Sequence, residues 1–225
     1  VILRARDVKK EFVSGAEHLE ILRGVTLEIE RPETVSIMGR SGCGKSTFIS
    51  LLAGLDSATT GSIEILNQNL DALPSGKLNQ FRARHIGIIF QQFHLLNHLT
   101  ALENVRLPID LNGGSIAGDQ NALEMLAKVG LAHRADHFPE TMSRGEQQRV
   151  AIARVLVMKP EVLLADEPTG SLDVKTGHDV IELLFNLIRT EKMALVMATH
   201  DPALAARCDR AFSMTEGRLS PGLLV

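Results

Sequence analysis

The residues Gly39–Thr47, GRSGCGKST, fit the spacing G-x-x-x-x-G-K-[ST] between an apolar run and a helical pattern, and that spacing specifies a chemistry. Glycines let the backbone curl until successive N–H groups point to one centre, and a helix starting there adds the positive end of its dipole. The loop Gly39, Ser41, Gly42, Cys43 and Gly44 would cradle phosphate, with Thr47 supporting it. Lys45 would reach the β and γ phosphates, and the Ser46 hydroxyl would take a place on Mg²⁺.

A second stretch, VLLADEP at Val162–Pro168, is an apolar strand ending in two carboxylates. Asp166 would hold Mg²⁺ through water, and Glu167 would polarise an attacking water as general base. Gln91, after IGIIF, can bridge metal, water and the next segment; His200, in MATHD, can donate to a γ-phosphate or hold the water in line. Paired acids alone are a weak signal, because they often only solvate a loop. Beside a phosphate loop they become a strong one.

The stretch TMSRGEQQRV, Thr141–Val150, has Ser143 and Glu146 in the spacing of a capping box. A capped helix explains those two residues and leaves Gly145, poor inside a helix, to be explained by backbone approach to a ligand. Arg144 is a cation in a first helical turn, where it opposes the dipole by about 0.3–1 kcal/mol. Its presence makes most sense beside an anion; the alternative is an outward, solvated side chain.

These groups need a frame. The runs Val35–Met38, Ile86–Phe90, Val162–Ala165 and Ala194–Ala198 are continuously apolar, as strands buried on both faces are. Helical periods lie between them at Lys45–Ala53, Ala122–Val129, Ser143–Met158 and Gly177–Thr190. Repeated strand-helix order predicts an α/β domain with a parallel sheet, whose ligands lie beyond the carboxyl ends of the strands, where Gly39, Gln91, Asp166, Glu167 and His200 stand. ILRGVTLEIE and GSIEILNQ alternate instead, predicting a small antiparallel sheet. From about 95 to 158 the pattern is mostly helical, broken at LNGGSIAGD, as in a helical subdomain inserted into the core.

The 24 Lys plus Arg against 27 Asp plus Glu give no field that would gather nucleic acid, so no nucleic-acid partner is expected. Two cysteines, Cys43 and Cys208, and no signal-peptide pattern point to a reducing cytoplasm. The richest apolar stretch, Val150–Met158, is interrupted by Arg154 and falls far short of the roughly 18 residues a span needs. A membrane would have to come with a partner.

In their order, Gly39–Thr47, Gln91, Met142–Glu146, Val162–Glu167, SLD at Ser171–Asp173 and His200 resemble the Walker A, Q-loop, signature, Walker B, D-loop and H-switch motifs of the ABC transporter ATPases, over nearly the whole chain. FQQFHLLNHLTALENV, GEQQRVAIAR and LADEPTGSLD are similar to the LolD/MacB/FtsE branch, whose members power lipoprotein release, macrolide efflux and cell-division complexes; LAARCDR and LLFNLIR lean towards its YbbA-like members. The resemblance implies a single P-loop NTPase domain over 1–225, with the parallel core sheet, N-terminal antiparallel β subdomain and inserted helical subdomain of an ABC ATPase. It implies a head-to-tail homodimer holding two ATP with Mg²⁺, each between one subunit's Walker A and the other's signature. Phe12 would then stack on adenine, Ser143 and Gly145 would touch the γ-phosphate across the interface, and Asp173 would contact the opposing Walker A. Gln91 would link the site to an integral membrane permease of the MacB/FtsX-like type, on the cytoplasmic side of the inner membrane. An FtsE-like regulatory role stays open, as does a soluble nucleic-acid-associated ABC ATPase, though the tandem units, coiled coils and zinc inserts of that class are absent.

The sequence departs from that pattern at Phe12 for Tyr, Pro32 for Gly, Asn97 for Pro and Arg144 for Gly. The last matters most. It is expected near the opposing phosphates or an interface carboxylate once a dimer closes.

Overall fold

The structure is a computed structural model and describes residues 1–14 and 17–222. Alternation in the N-terminal segment makes a half-buried ribbon: β1 (Leu3–Ser14) and β2 (Glu17–Ile29) pair antiparallel, with Leu3, Ala5, Leu27 and Ile29 in the core. A tight turn containing Pro32 leads into the fully buried β3 (Thr34–Met38), and the phosphate loop then opens α1 (Lys45–Leu52). β4 (Thr60–Ile65) returns to pair with β1, and the two-residue β5 (Gln68–Asn69) pairs with β4, giving an antiparallel sheet in the order β2-β1-β4-β5.

The chain continues through α2 (Ser75–His85), β6 (Ile86–Ile89), α3 (Ala101–Leu111), α4 (Gly118–Lys128) and α5 (Arg144–Leu156). It closes with β7 (Val162–Asp166), α6 (Val174–Glu191), β8 (Ala194–Thr199), α7 (Pro202–Ala205), β9 (Arg210–Thr215) and β10 (Arg218–Pro221). The second sheet runs β10-β9-β3-β8-β7-β6. Its members from β9 to β6 are parallel, and β10 pairs antiparallel on β9 at the edge.

The four continuous apolar runs are therefore β3, β6, β7 and β8, and the parallel sheet has a further member, β9, that the sequence reading lacked. In RAFSMT only Phe212 and Met214 are buried, so this strand never shows a continuous run. α2 escaped notice for a related reason: not one of its residues is fully buried, so it carries no apolar stripe.

Period-two alternation divides the parallel strands between two cores. Val162, Leu164, Val196 and Ala198 join the ribbon and α1, around Phe48, Leu22 and Ile63. Leu163, Ala165, Leu195 and Met197 face the helices, around Leu126, Ile152, Ile181 and Phe185. α3, α4 and α5 pack on one another, and α5 also packs on α6 and β6, which seats the start of α5 close to the loops that follow β7. Gly113 and Gly114, with φ of 100° and 71°, end α3 within the predicted break.

Candidate active site

α1 begins at Gly44, whose φ of 110° belongs to glycine, and no side chain caps its first turn. A Cβ on Gly44 would also lie 2.9 Å from Leu22 Cδ2 and 3.2 Å from Ile21 O, so the ribbon crowds this position as well. The loop's N–H groups and the helix dipole are left for an anion. Lys45 is buried, and its Nζ donates to the carbonyls of Gly39 at 2.7 Å and Arg40 at 3.1 Å. Two of the three ammonium donors are thus occupied by the loop itself.

A cleft of about 490 Å³ opens beside this loop, lined by Ser41, Gly42, Gly44, Lys45, Ser46 and Thr47. Gln91, Glu167 and His200, from just beyond β6, β7 and β8, line it too. Gly39 contributes its carbonyl to Lys45 and does not line the cleft. Cys43 packs its side chain against the ribbon-side core, and its N–H already donates to Arg40 O at 3.3 Å. Ile21, on β2, is a lining residue that the sequence reading missed; no feature of ILRGVTLEIE distinguishes it from its neighbours.

Glu167 has a φ of 49° at the end of β7, fixed by its N–H donating to Ala198 O at 2.9 Å and its carbonyl accepting from Gly170 N at 3.0 Å. Its carboxylate Oε2 accepts from His200 Nδ1 at 2.8 Å, with His200 largely exposed and Glu167 largely covered. Next to it, Asp166 keeps Oδ1 buried with no hydrogen-bond partner among the described residues. A buried carboxylate oxygen without a donor is costly. A hydrated cation beside Ser46 would satisfy it, so the residues present fit Mg²⁺.

The other predicted residues lie off this cleft. Phe12 is 46% exposed on β1, with Lys10 Nζ 5.0 Å from its ring centroid. Ser143 caps α5: its Oγ accepts from Glu146 N at 3.3 Å, and Glu146 Oε2 accepts from Ser143 N at 2.8 Å. Burial alone would raise the Glu146 pKa, but these bonds to Ser143 and the Arg134 guanidinium hold it below the usual carboxylate range. Gly145 also has a packing reason beside the expected ligand reason, because a Cβ there would run into Thr176 Cγ2 of α6. Ser143 and Gly145 line a separate hollow of about 460 Å³. Asp173 caps α6 by accepting from Thr176 N at 3.0 Å, and Thr176 holds its pKa below the ordinary value. It borders a hollow of about 500 Å³ that Glu167 and His200 also line. Within the single chain Arg144 Nη1 donates to the carbonyl of Ser171 at 3.0 Å, and among the described residues it has no carboxylate partner.

Residues 22–170 match the family description "ABC transporter". The chain belongs to the ABC transporter family. It is 45% identical over 219 residues to the ABC transporter ATP-binding protein YbbA of Escherichia coli (strain K12), covering 97% of this chain and 96% of that protein. It is 44% identical over 220 residues to the lipoprotein-releasing system ATP-binding protein LolD of Xanthomonas campestris pv. campestris (strain 8004), covering 97% and 92%. The dimeric, post-hydrolysis structure of the ATP-binding cassette MJ0796 with ADP and Pi superimposes with a TM-score of 0.89 at 38% identity, over 98% of this chain and 100% of that one. The protein is thus an ATP-binding and ATP-hydrolysing ABC ATPase, and its fold is the P-loop ABC ATPase fold that the motifs imply. Among the described residues no helix is long and apolar enough to cross a membrane.

Proposed function

We propose that this ABC ATPase works as an ATP-dependent head-to-tail homodimer that drives an integral membrane permease of the MacB/FtsX-like type, in export or in lipoprotein or lipid release, from the cytoplasmic side of the inner membrane. One observation carries the reading. Glu167 and His200 border the phosphate-loop cleft, whereas Ser143 and Gly145 lie in a separate hollow, so one chain offers only half of a closed nucleotide site. The dimeric MJ0796 structures and the printed role of LolD support both halves of the proposal.

In this reading Lys45 and the N–H groups of residues 41–47 bind the ATP phosphates, and Phe12 stacks on the adenine. Ser46, Gln91 and, through water, Asp166 hold Mg²⁺, which supplies neutralisation of phosphate charge when bound. Glu167 and His200 restrain one another in the single chain. When His200 leaves Glu167, its Nδ1–H becomes available to a γ-phosphate oxygen and the carboxylate becomes available to the proton of an aligned water. Ser143 and Gly145, carried on an inserted helical unit spanning about 95–158, meet the partner's γ-phosphate, and Asp173 meets its phosphate loop.

A groove of about 610 Å³ between α2, α3, β6 and the end of α5 is suited to a permease segment, since Leu107, Pro108, Leu111 and Met158 line it. Arg154, also in its lining, donates to the carbonyls of His94 at 2.7 Å and Phe93 at 2.9 Å. A push in the groove therefore reaches the segment that begins at Gln91.

The Glu167→Gln protein tests the reading. It is expected to bind ATP, to lose hydrolysis by about 10²–10⁴-fold, and to elute as a dimer with ATP in size-exclusion chromatography. Full hydrolytic activity removes Glu167 from the base role, and a monomer with ATP removes the dimer.

A further inference from the structure

The segments that this reading turns towards a second subunit are tied together within one subunit. Arg144, the first residue of α5, donates to the Ser171 carbonyl at 3.0 Å, and the Ser171 hydroxyl donates to the Gln91 carbonyl at 3.1 Å. On either side of this chain of bonds stand the groups of interest: Ser143 directly precedes Arg144, and Asp173 follows Ser171 by two residues in the same loop. The glycine that the family resemblance leads one to expect at position 144 has no side chain to make the first bond.

We infer that Arg144 is a positioning residue whose guanidinium holds the start of α5 against the 170–173 loop, and through Ser171 against Gln91. The cation stands at the wrong end of a helix dipole, and the carbonyl it meets offsets that repulsion locally. A planar guanidinium on a backbone acceptor also fixes direction, which a solvated side chain does not. Ser143 and Asp173 are thereby presented as one surface before any partner arrives, which lowers the ordering that closure requires. The same bonds carry a displacement at Gln91 to the start of α5.

The inference rests on the dimer reading, and its test is made in the Glu167→Gln protein so that the two can fail separately. ATP-dependent dimerisation is measured by analytical ultracentrifugation for that protein alone and with Arg144→Gly, Arg144→Lys, Ser171→Ala, and Arg144→Gly with Ser171→Ala. Arg144→Gly is expected to weaken the dimer by about three- to tenfold, the size of one modest hydrogen bond, with ATP affinity of the monomer unchanged. Arg144→Lys restores part of the loss, and the double variant is no weaker than the weaker single one, because both break the same chain of bonds. Equal or tighter dimerisation of Arg144→Gly, or strict additivity in the double variant, overturns the inference. If the Glu167→Gln protein alone stays monomeric with ATP, the dimer reading falls and the positioning role falls with it.

Discussion

Glu167 adopts a left-handed backbone conformation that costs a residue with a Cβ about 1–2 kcal/mol, and two backbone hydrogen bonds hold it there. Strain kept in place by such bonds is a mark of a site where side-chain direction matters. His200 depends on that direction, since its ring is fixed by one bond to the Glu167 carboxylate and is otherwise exposed. His200→Ala is accordingly expected to lower kcat by about 10²-fold or more while leaving the ATP KM nearly unchanged. A higher KM at unchanged kcat would confine His200 to ground-state binding. Residues of this kind were legible in the sequence because their chemistry is carried by type and local spacing. The Arg144–Ser171 bond was not, because nothing local relates two positions that only the packing of α5 beside the β7–α6 loop brings together.

The elements show the same division. The capping box at Ser143 and Glu146 formed as its spacing required, because a cap is decided by four consecutive residues. Gly145 has a second cause that its local sequence does not carry: its neighbour is Thr176, from a helix that sequence spacing cannot place. The packing explanation makes a prediction of definite sign. In an open helix Gly→Ala stabilises by about 1 kcal/mol, whereas overpacking against α6 destabilises by about 1–3 kcal/mol. Gly145→Ala should therefore lower the thermal midpoint, and adding Thr176→Ser, which removes Cγ2 and keeps the cap donor N–H, should recover most of the loss. If Gly145→Ala stabilises the protein, α6 does not crowd this position. The Glu146 half of the box adds a pH dependence. Its pKa is lowered in the folded chain, so its contribution is present above the unfolded value and is lost as pH falls through the folded one.

At the scale of the molecule, two cores share one sheet, with the ribbon and α1 on one face and α3 to α6 on the other. α2 lays the partly buried Leu78 and Phe81 against the ribbon-side core, while another flank of it, with Asn79 and Ala83, borders the groove with α3 and α5. Leu111 is the most informative residue of that groove, because it lines the hollow and is still 76% exposed. Little of its side chain supports the fold, so a charge there should change stability by no more than about 0.5 kcal/mol. A permease segment seated in the groove would have to desolvate that charge, at a cost of several kcal/mol. Leu111→Glu is thus expected to bind and hydrolyse ATP as the parent protein does and to lose co-purification with the permease from membranes. Ile116, fully exposed and outside the groove, supplies the control: Ile116→Glu should leave co-purification intact. Loss in both variants would point to a general effect of charge near the end of α3, and retention in both would move the docking surface away from this groove.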